Sequence, residues 1–218
     1  MSKLNRLKSE MFGSIWRSAL SSVLIAFTVW FSASLLLASQ TASSVPEFDY
    51  QLDFVRNSQG ENISLWYFPK SSSDEVILYL HGSTGRLTHF IPELNSQASI
   101  VSPAYPGYHE SEGSPTYQKA YEAAVLAYDY LLEKGFSEDK ITIFGHSMGG
   151  SPATYLAARR PNAKRLVIVN TFSSIQSMCF RSYTILCGFN GSIFNSAVNA
   201  KDVQIPVRHF AYKGDRCS

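Results

Sequence analysis

From residue 49 onward the apolar and polar positions fall first into two strand-like segments around a turn and then into alternating blocks. Asp49 to Arg56 and Asn62 to Phe68 read as two strands, and the turn-rich Asn57-Ser58-Gln59-Gly60-Glu61 between them predicts a hairpin. After a turn at Lys70 to Asp74, Glu75 to Leu80 is a nearly continuous apolar run, the pattern of a strand covered on both faces in a parallel sheet. Helical and strand patterns then alternate. A weak helix is expected at Leu87 to Leu94, a strand at Ser99 to Pro103, a helix at Tyr117 to Lys134 and a strand at Ile141 to Phe144. A helix rich in small residues follows at Gly150 to Arg159, then strands at Leu166 to Asn170 and Ile205 to Ala211. In Tyr117 to Lys134, Ala120, Ala124, Ala127, Tyr128 and Leu131 recur at helical steps, and Gly135 supplies the stop. This alternation predicts an α/β domain with a mostly parallel central sheet and flanking helices. Residues 173–200 are aromatic and aperiodic, and lie between two strands where a small cap would sit; ordinary packing is the plainer account of them.

Ahead of this domain the pattern changes. Ser18 to Pro46 holds no charged residue, and Ala19 to Ala38 gives twenty largely apolar positions, about 30 Å as a helix and enough to cross a bilayer. The chain is therefore expected to divide into a basic tail (1–17), a transmembrane anchor (18–39), a linker (40–48) and a folded domain (49–218). Lys3, Arg6, Lys8 and Arg17 against Glu10 place +3 ahead of the apolar stretch, out of +2 for the whole chain. That asymmetry predicts a single-pass protein with a cytoplasmic N-terminus and the folded domain on the non-cytoplasmic side of the membrane. A cleaved signal peptide and a buried domain helix are the competing accounts. The remainder of the chain, left at −1, has no nucleic-acid footprint. Cys179, Cys187 and Cys217 do not have zinc-site spacing. The first two either close a short disulfide loop, if the domain lies outside the cytoplasm, or serve as small buried hydrophobes.

Gly145-His146-Ser147-Met148-Gly149 stands between an apolar strand and a helix, the setting in which a G-x-S-x-G pentad turns sharply and exposes its serine. Ser147 is thereby the candidate nucleophile; the flanking glycines suit a turn with little room for side chains. His81-Gly82-Ser83-Thr84-Gly85 directly follows the strand ending at Leu80. A loop there can set an N–H opposite that of Met148, so the amides of Ser83 and Met148 are the candidate oxyanion hole. His81 and His146 are read as structural rather than as the base. Such chemistry needs neither a metal nor an organic cofactor.

With these two segments, Ala104-Tyr105-Pro106-Gly107-Tyr108-His109-Glu110-Ser111-Glu112-Gly113 completes a resemblance to the α/β-hydrolase superfamily, in particular to the Bem46-like membrane-anchored serine hydrolases and the related serine aminopeptidases. His109 stands where that family's loop usually has glycine. The resemblance implies an α/β-hydrolase fold behind an N-terminal transmembrane helix, and hydrolysis of ester, thioester or amide bonds through an acyl-enzyme. It also makes Asp215 the orienting acid, by the match at Pro206, Val207 and Asp215. Tyr212 replaces a customary glycine there, and Arg208 and His209 interrupt a normally apolar strand. Family members continue for several dozen residues with a last strand, a triad histidine and a closing helix, so the chain is expected to be C-terminally incomplete and to lack its base. The implied partners are the lipid bilayer and a small acyl, ester or peptide-like substrate. The alternatives are a non-catalytic membrane-tethered binding module, a degenerate remnant of a hydrolase, and a hydrolase using a dyad of Ser147 with His109.

Overall fold

Strand β1 (Gln51–Arg56) and strand β2 (Asn62–Phe68) form the expected hairpin, antiparallel from Gln51 opposite Tyr67 to Arg56 opposite Asn62. The computed structural model describes residues 49–85, 94, 97–171 and 196–211, all within the compact unit 43–218. The hairpin turn is held by Asn57, whose side-chain oxygen accepts from the N–H groups of Gln59 and Glu61, while Gly60 takes the left-handed conformation (φ 79°). The other edge of β2 pairs with β4 (Ser99–Pro103), again antiparallel.

The rest of the sheet is parallel. β3 (Val76–Leu80) lies between β4 and β5 (Ile141–His146), followed by β6 (Arg165–Val169) and β7 (Val207–Phe210), giving the order β1-β2-β4-β3-β5-β6-β7. Parallel strands require crossovers, and helix α1 (Tyr117–Glu133) and helix α2 (Gly150–Ala157) supply two of them. Alternation within the strands sorts the core into two faces. Leu65, Leu78, Leu80, Val101 and Ile143 pack with Ala124, Ala127, Tyr128 and Leu131 of α1 and with Ala153, Leu156 and Ala157 of α2. Trp66, Phe68, Tyr79, Ile100, Phe144 and Val169 gather on the opposite face. The small residues that gave the helices their sequence signature are those through which they approach the sheet.

α1 begins where Thr116, in extended conformation, accepts from Lys119 N–H through its hydroxyl. It ends in a Schellman turn: Phe136 N–H reaches Leu131 C=O, Gly135 N–H reaches Leu132 C=O, and Gly135 sits at φ 92°. Glu61 of the hairpin turn receives Lys119 Nζ at 2.7 Å, joining α1 to the hairpin.

Among the described residues the expected strands and helices are present with some ends shifted, and two of the differences bear on the site and the sheet rim. β5 runs on to His146 and is followed by one 3-10 turn, Ser147–Gly149, before α2 begins. β7 is four residues long and exposed along its whole length, so Arg208 and His209 keep their hydration at the rim of the described sheet. The apolar stretch 19–38, the three cysteines, Asp215 and most of the expected helix at 87–94 lie outside the described residues. So does residues 173–195 of the expected cap; Ser196–Ala200 form a short helix, α3. Among the described residues no helix is long and apolar enough to cross a membrane.

Candidate active site

Ser147, Met148 and Ser83 meet at the carboxyl ends of β3 and β5, the end of a parallel sheet where open α/β folds place ligands. Ser147 follows β5 at φ 52°, in the left-handed region that a residue with a side chain rarely enters. A conformation of this kind costs of order 1–3 kcal/mol and persists only where its surroundings enforce it. Here the enforcement is steric. A Cβ on Gly149 would lie 2.0 Å from Leu80 O and 2.6 Å from His81 O, and one on Gly145 would lie 2.6 Å from Gly150 Cα. The elbow is thus packed backbone to backbone against the end of β3 and the first turn of α2. Thr171, two residues past β6, adds a tie: its hydroxyl lies 3.1 Å from Ser147 O and 3.4 Å from Val169 O.

The loop after β3 lies beside the serine. A Cβ on Gly82 would sit 3.3 Å from Ser147 Cβ and 3.4 Å from His146 Nδ1. Ser83 and Thr84 form the exposed middle of a turn closed by Gly85 N–H to Gly82 C=O at 3.2 Å. His81 is fully buried beneath it, Nδ1 at 2.7 Å from Gly82 O and Nε2 facing Tyr105 N–H at 3.5 Å, with the Tyr105 ring centroid 4.1 Å away. Accepting at Nε2 assigns the proton to Nδ1, which donates to Gly82. Burial depresses the imidazole pKa to about 4, so the ring is neutral at physiological pH. Gly82 C=O and Ser83 N–H share one peptide plane, so the two bonds to that carbonyl also fix the direction of the Ser83 amide.

The loop from Tyr105 to Gly113 wraps this turn from outside. Tyr108 hydroxyl donates to Ser83 C=O at 3.0 Å, and His109 Nε2 lies 2.6 Å from Gly85 O. His109 has φ 46°, which explains why a glycine suits that position. The loop is pinned to β2 by Ser111, whose hydroxyl donates to Ala104 C=O at 2.7 Å and accepts from Ser64 N–H at 2.9 Å.

The structure therefore brings Ser147, Met148 and Ser83 together at the carboxyl ends of β3 and β5. Met148 turns its side chain among Ile63, Tyr105, Ala120 and Ala123. His81 and His109 are engaged with backbone, His146 is half-buried next to Ser147, and His209 is exposed on β7 opposite Ile168. Thr171, Tyr108 and Ser111 are contributions the sequence reading did not assign; the signal for Thr171 was its place just past a parallel strand. Among the described residues no group of three His, Cys, Asp or Glu side chains is arranged to hold a metal. A cavity of about 350 Å³ elsewhere is lined by Gln118, Tyr121, Glu122, Val125 and Tyr155, on α1 and α2, and not by the loops around Ser147.

Residues 75–181 match the family model described as alpha/beta hydrolase fold. The chain is 30% identical to Protein bem46 of Schizosaccharomyces pombe over 146 residues, which is 61% of this chain and 48% of that protein. It is 28% identical over 192 residues to the lysophosphatidylserine lipase ABHD12 of Danio rerio, 69% of this chain and 48% of that one. The chain thus spans about half the length of these curated relatives. Among solved structures, the Pyrococcus furiosus esterase Pf2001 superposes with a TM-score of 0.62 at 14% identity, over 77% of this chain and 72% of that one, a likeness of fold.

Proposed function

This chain belongs with the α/β hydrolases, in their Bem46-like group, and on that premise we propose that it descends from, and retains the nucleophile of, a serine hydrolase acting on small ester or lipid-like acyl substrates. What carries the reading is Ser147 at φ 52° between β5 and α2, with Gly82 of the neighbouring loop against its Cβ. In the proposed reaction, as complete relatives would run it, Ser147 Oγ attacks the acyl carbon as its proton passes to a triad histidine, for which this chain has no assigned residue. The carbonyl oxygen becomes an oxyanion received by the amides of Ser83 and Met148, and the alcohol then leaves with a proton, forming the acyl-enzyme. Water reverses the sequence and frees the acid. Asp215 is the proposed orienting acid, on sequence alone. The lipase and esterase names among the relatives support an ester substrate; thioester and amide bonds belong to the same acyl-transfer chemistry. We further propose that residues 18–39 tether the domain to a bilayer, on the apolar run and the basic tail before it.

A second reading is favoured by the histidines: His81 and His109 are both engaged with backbone. On that reading the domain is a tethered, non-catalytic binding module. A fluorophosphonate probe applied to the purified full chain separates the two. Labelling that is abolished by Ser147→Ala is the expected result; a well-folded wild-type protein that takes no label would overturn the hydrolase reading in favour of the module.

A further inference from the structure

We propose that Tyr108 and His109 are positioning residues, a two-pronged clamp that holds the 81–85 turn in the geometry its Ser83 amide needs to receive an oxyanion. This rests on the reading of that amide as part of the oxyanion hole.

Three observations carry it. Two adjacent side chains of one loop reach the backbone of another at separate points, Tyr108 hydroxyl to Ser83 C=O at 3.0 Å and His109 Nε2 to Gly85 C=O at 2.6 Å. Together with the bonds from His81 and Gly85 to Gly82 C=O, the carbonyls of Gly82, Ser83 and Gly85 are then each held by a donor. The fit is also steric: Gly85 turns at φ 67°, and a Cβ there would lie 2.6 Å from Tyr108 Cδ1, so the ring occupies the space a side chain would need. Finally, the clamp has a rigid base. Ser111 and Glu112 bind the loop to β2, with Glu112 accepting from Asn62 N–H at 2.7 Å, and the His109 ring meets Trp66 edge-on at 5.4 Å. Trp66 is itself buried and stacked on Tyr50 at 4.6 Å.

His109 is the informative half. Its backbone is left-handed, φ 46°, where glycine would be unstrained. An imidazole at this position has to offset that strain through its own contacts, and the contacts it makes are Trp66 on one side and the Gly85 carbonyl on the other. Burial of the Tyr108 phenol raises its pKa, which keeps it a donor over the working pH range.

The test uses the full chain in mild detergent and reads two quantities. The first is the kinetics of fluorophosphonate labelling, resolved into a limiting phosphonylation rate and a half-saturating probe concentration. The second is amide hydrogen exchange in peptides covering residues 81–85. Tyr108→Phe and His109→Ala are expected to lower the limiting rate by about tenfold, as a misplaced oxyanion donor would. The half-saturating concentration should hold within about twofold, and exchange across the turn should accelerate. His109→Gln, whose side-chain amide can still donate to Gly85 C=O, should recover most of both. Unchanged labelling rate and unchanged exchange in the two variants would overturn the clamp while leaving the hydrolase reading intact. If the folded wild type takes no label, the hydrolase reading falls and exchange decides the clamp. Protection lost in His109→Ala and regained in His109→Gln sustains it; protection unaffected by either overturns it.

Discussion

Ser147 and His109 share an unusual trait at the residue scale, a left-handed backbone on a residue that is not glycine (φ 52° and 46°). The first was legible in the sequence, because G-x-S-x-G after a strand specifies such a turn. The second was visible only as a departure from a glycine, since nothing local says that its ring will reach Gly85 across the loop. His81 was legible as structural, and its burial yields a pH prediction. The folded protein keeps the imidazole neutral down to about pH 4, whereas the unfolded chain takes up the proton near 6.5. In that window the unfolded state binds more protons, so stability is full above pH 6.5, declines as pH falls towards 4, and levels off below. From pH 7 to pH 5 the loss should be about 2 kcal/mol. Urea midpoints measured across this range should show it, and His81→Gln should flatten that part of the profile while lowering stability at neutral pH.

Elements were read more reliably than side-chain partners. The hairpin, α1 and the parallel strands were set by period, turn chemistry and the Gly135 stop, all local signals. The second loop was recognised by its motif, but its mechanics depend on which strand stands beside it. β2 and β4 are neighbours in the sheet, and this neighbourhood lets Ser111 join Ser64 N–H to Ala104 C=O. The same holds for Thr171, whose contact with the elbow exists only because β6 pairs with β5. Ser111 is nearly inaccessible, at 8% exposure. Ser111→Ala strips partners from two buried backbone groups and should cost about 1–3 kcal/mol, read as a lower denaturant midpoint with an unchanged slope. Ser111→Thr, which keeps the hydroxyl, tests whether the methyl can be accommodated and should lose less.

For the whole molecule, the sequence indicates an amphipathic arrangement along the chain rather than around a helix: a basic tail, an uncharged apolar run, and a near-neutral folded domain. A tether of this kind predicts that the full chain stays with membranes through alkaline carbonate extraction. Removing residues 1–39 should release the domain to the soluble fraction. In sealed vesicles of known orientation, a protease added on the cytoplasmic side should spare the domain and shorten only the N-terminus. Loss of the apolar segment from the mature protein would instead favour a cleaved signal. Enzyme and anchor are thus separable claims, because the first rests on the turn at Ser147 and the second on composition alone.

The strand order carries a consequence for how the protein is made. β2 and β3 are consecutive in the chain, but β4 lies between them in the sheet. A nascent chain that has emerged only through Leu80 therefore holds two apolar strands that must not pair with one another, and a hairpin that is marginal by itself. The slot between them is filled only when residues 99–103 arrive, and β3 gains its second neighbour only with residues 141–146. Until then β3, which presents the loop, has an unpaired edge, and β5, which presents the elbow, keeps one until residues 165–169 follow. The interval of synthesis between Leu80 and Val169 is therefore when open strand edges leave this chain most exposed to mispairing.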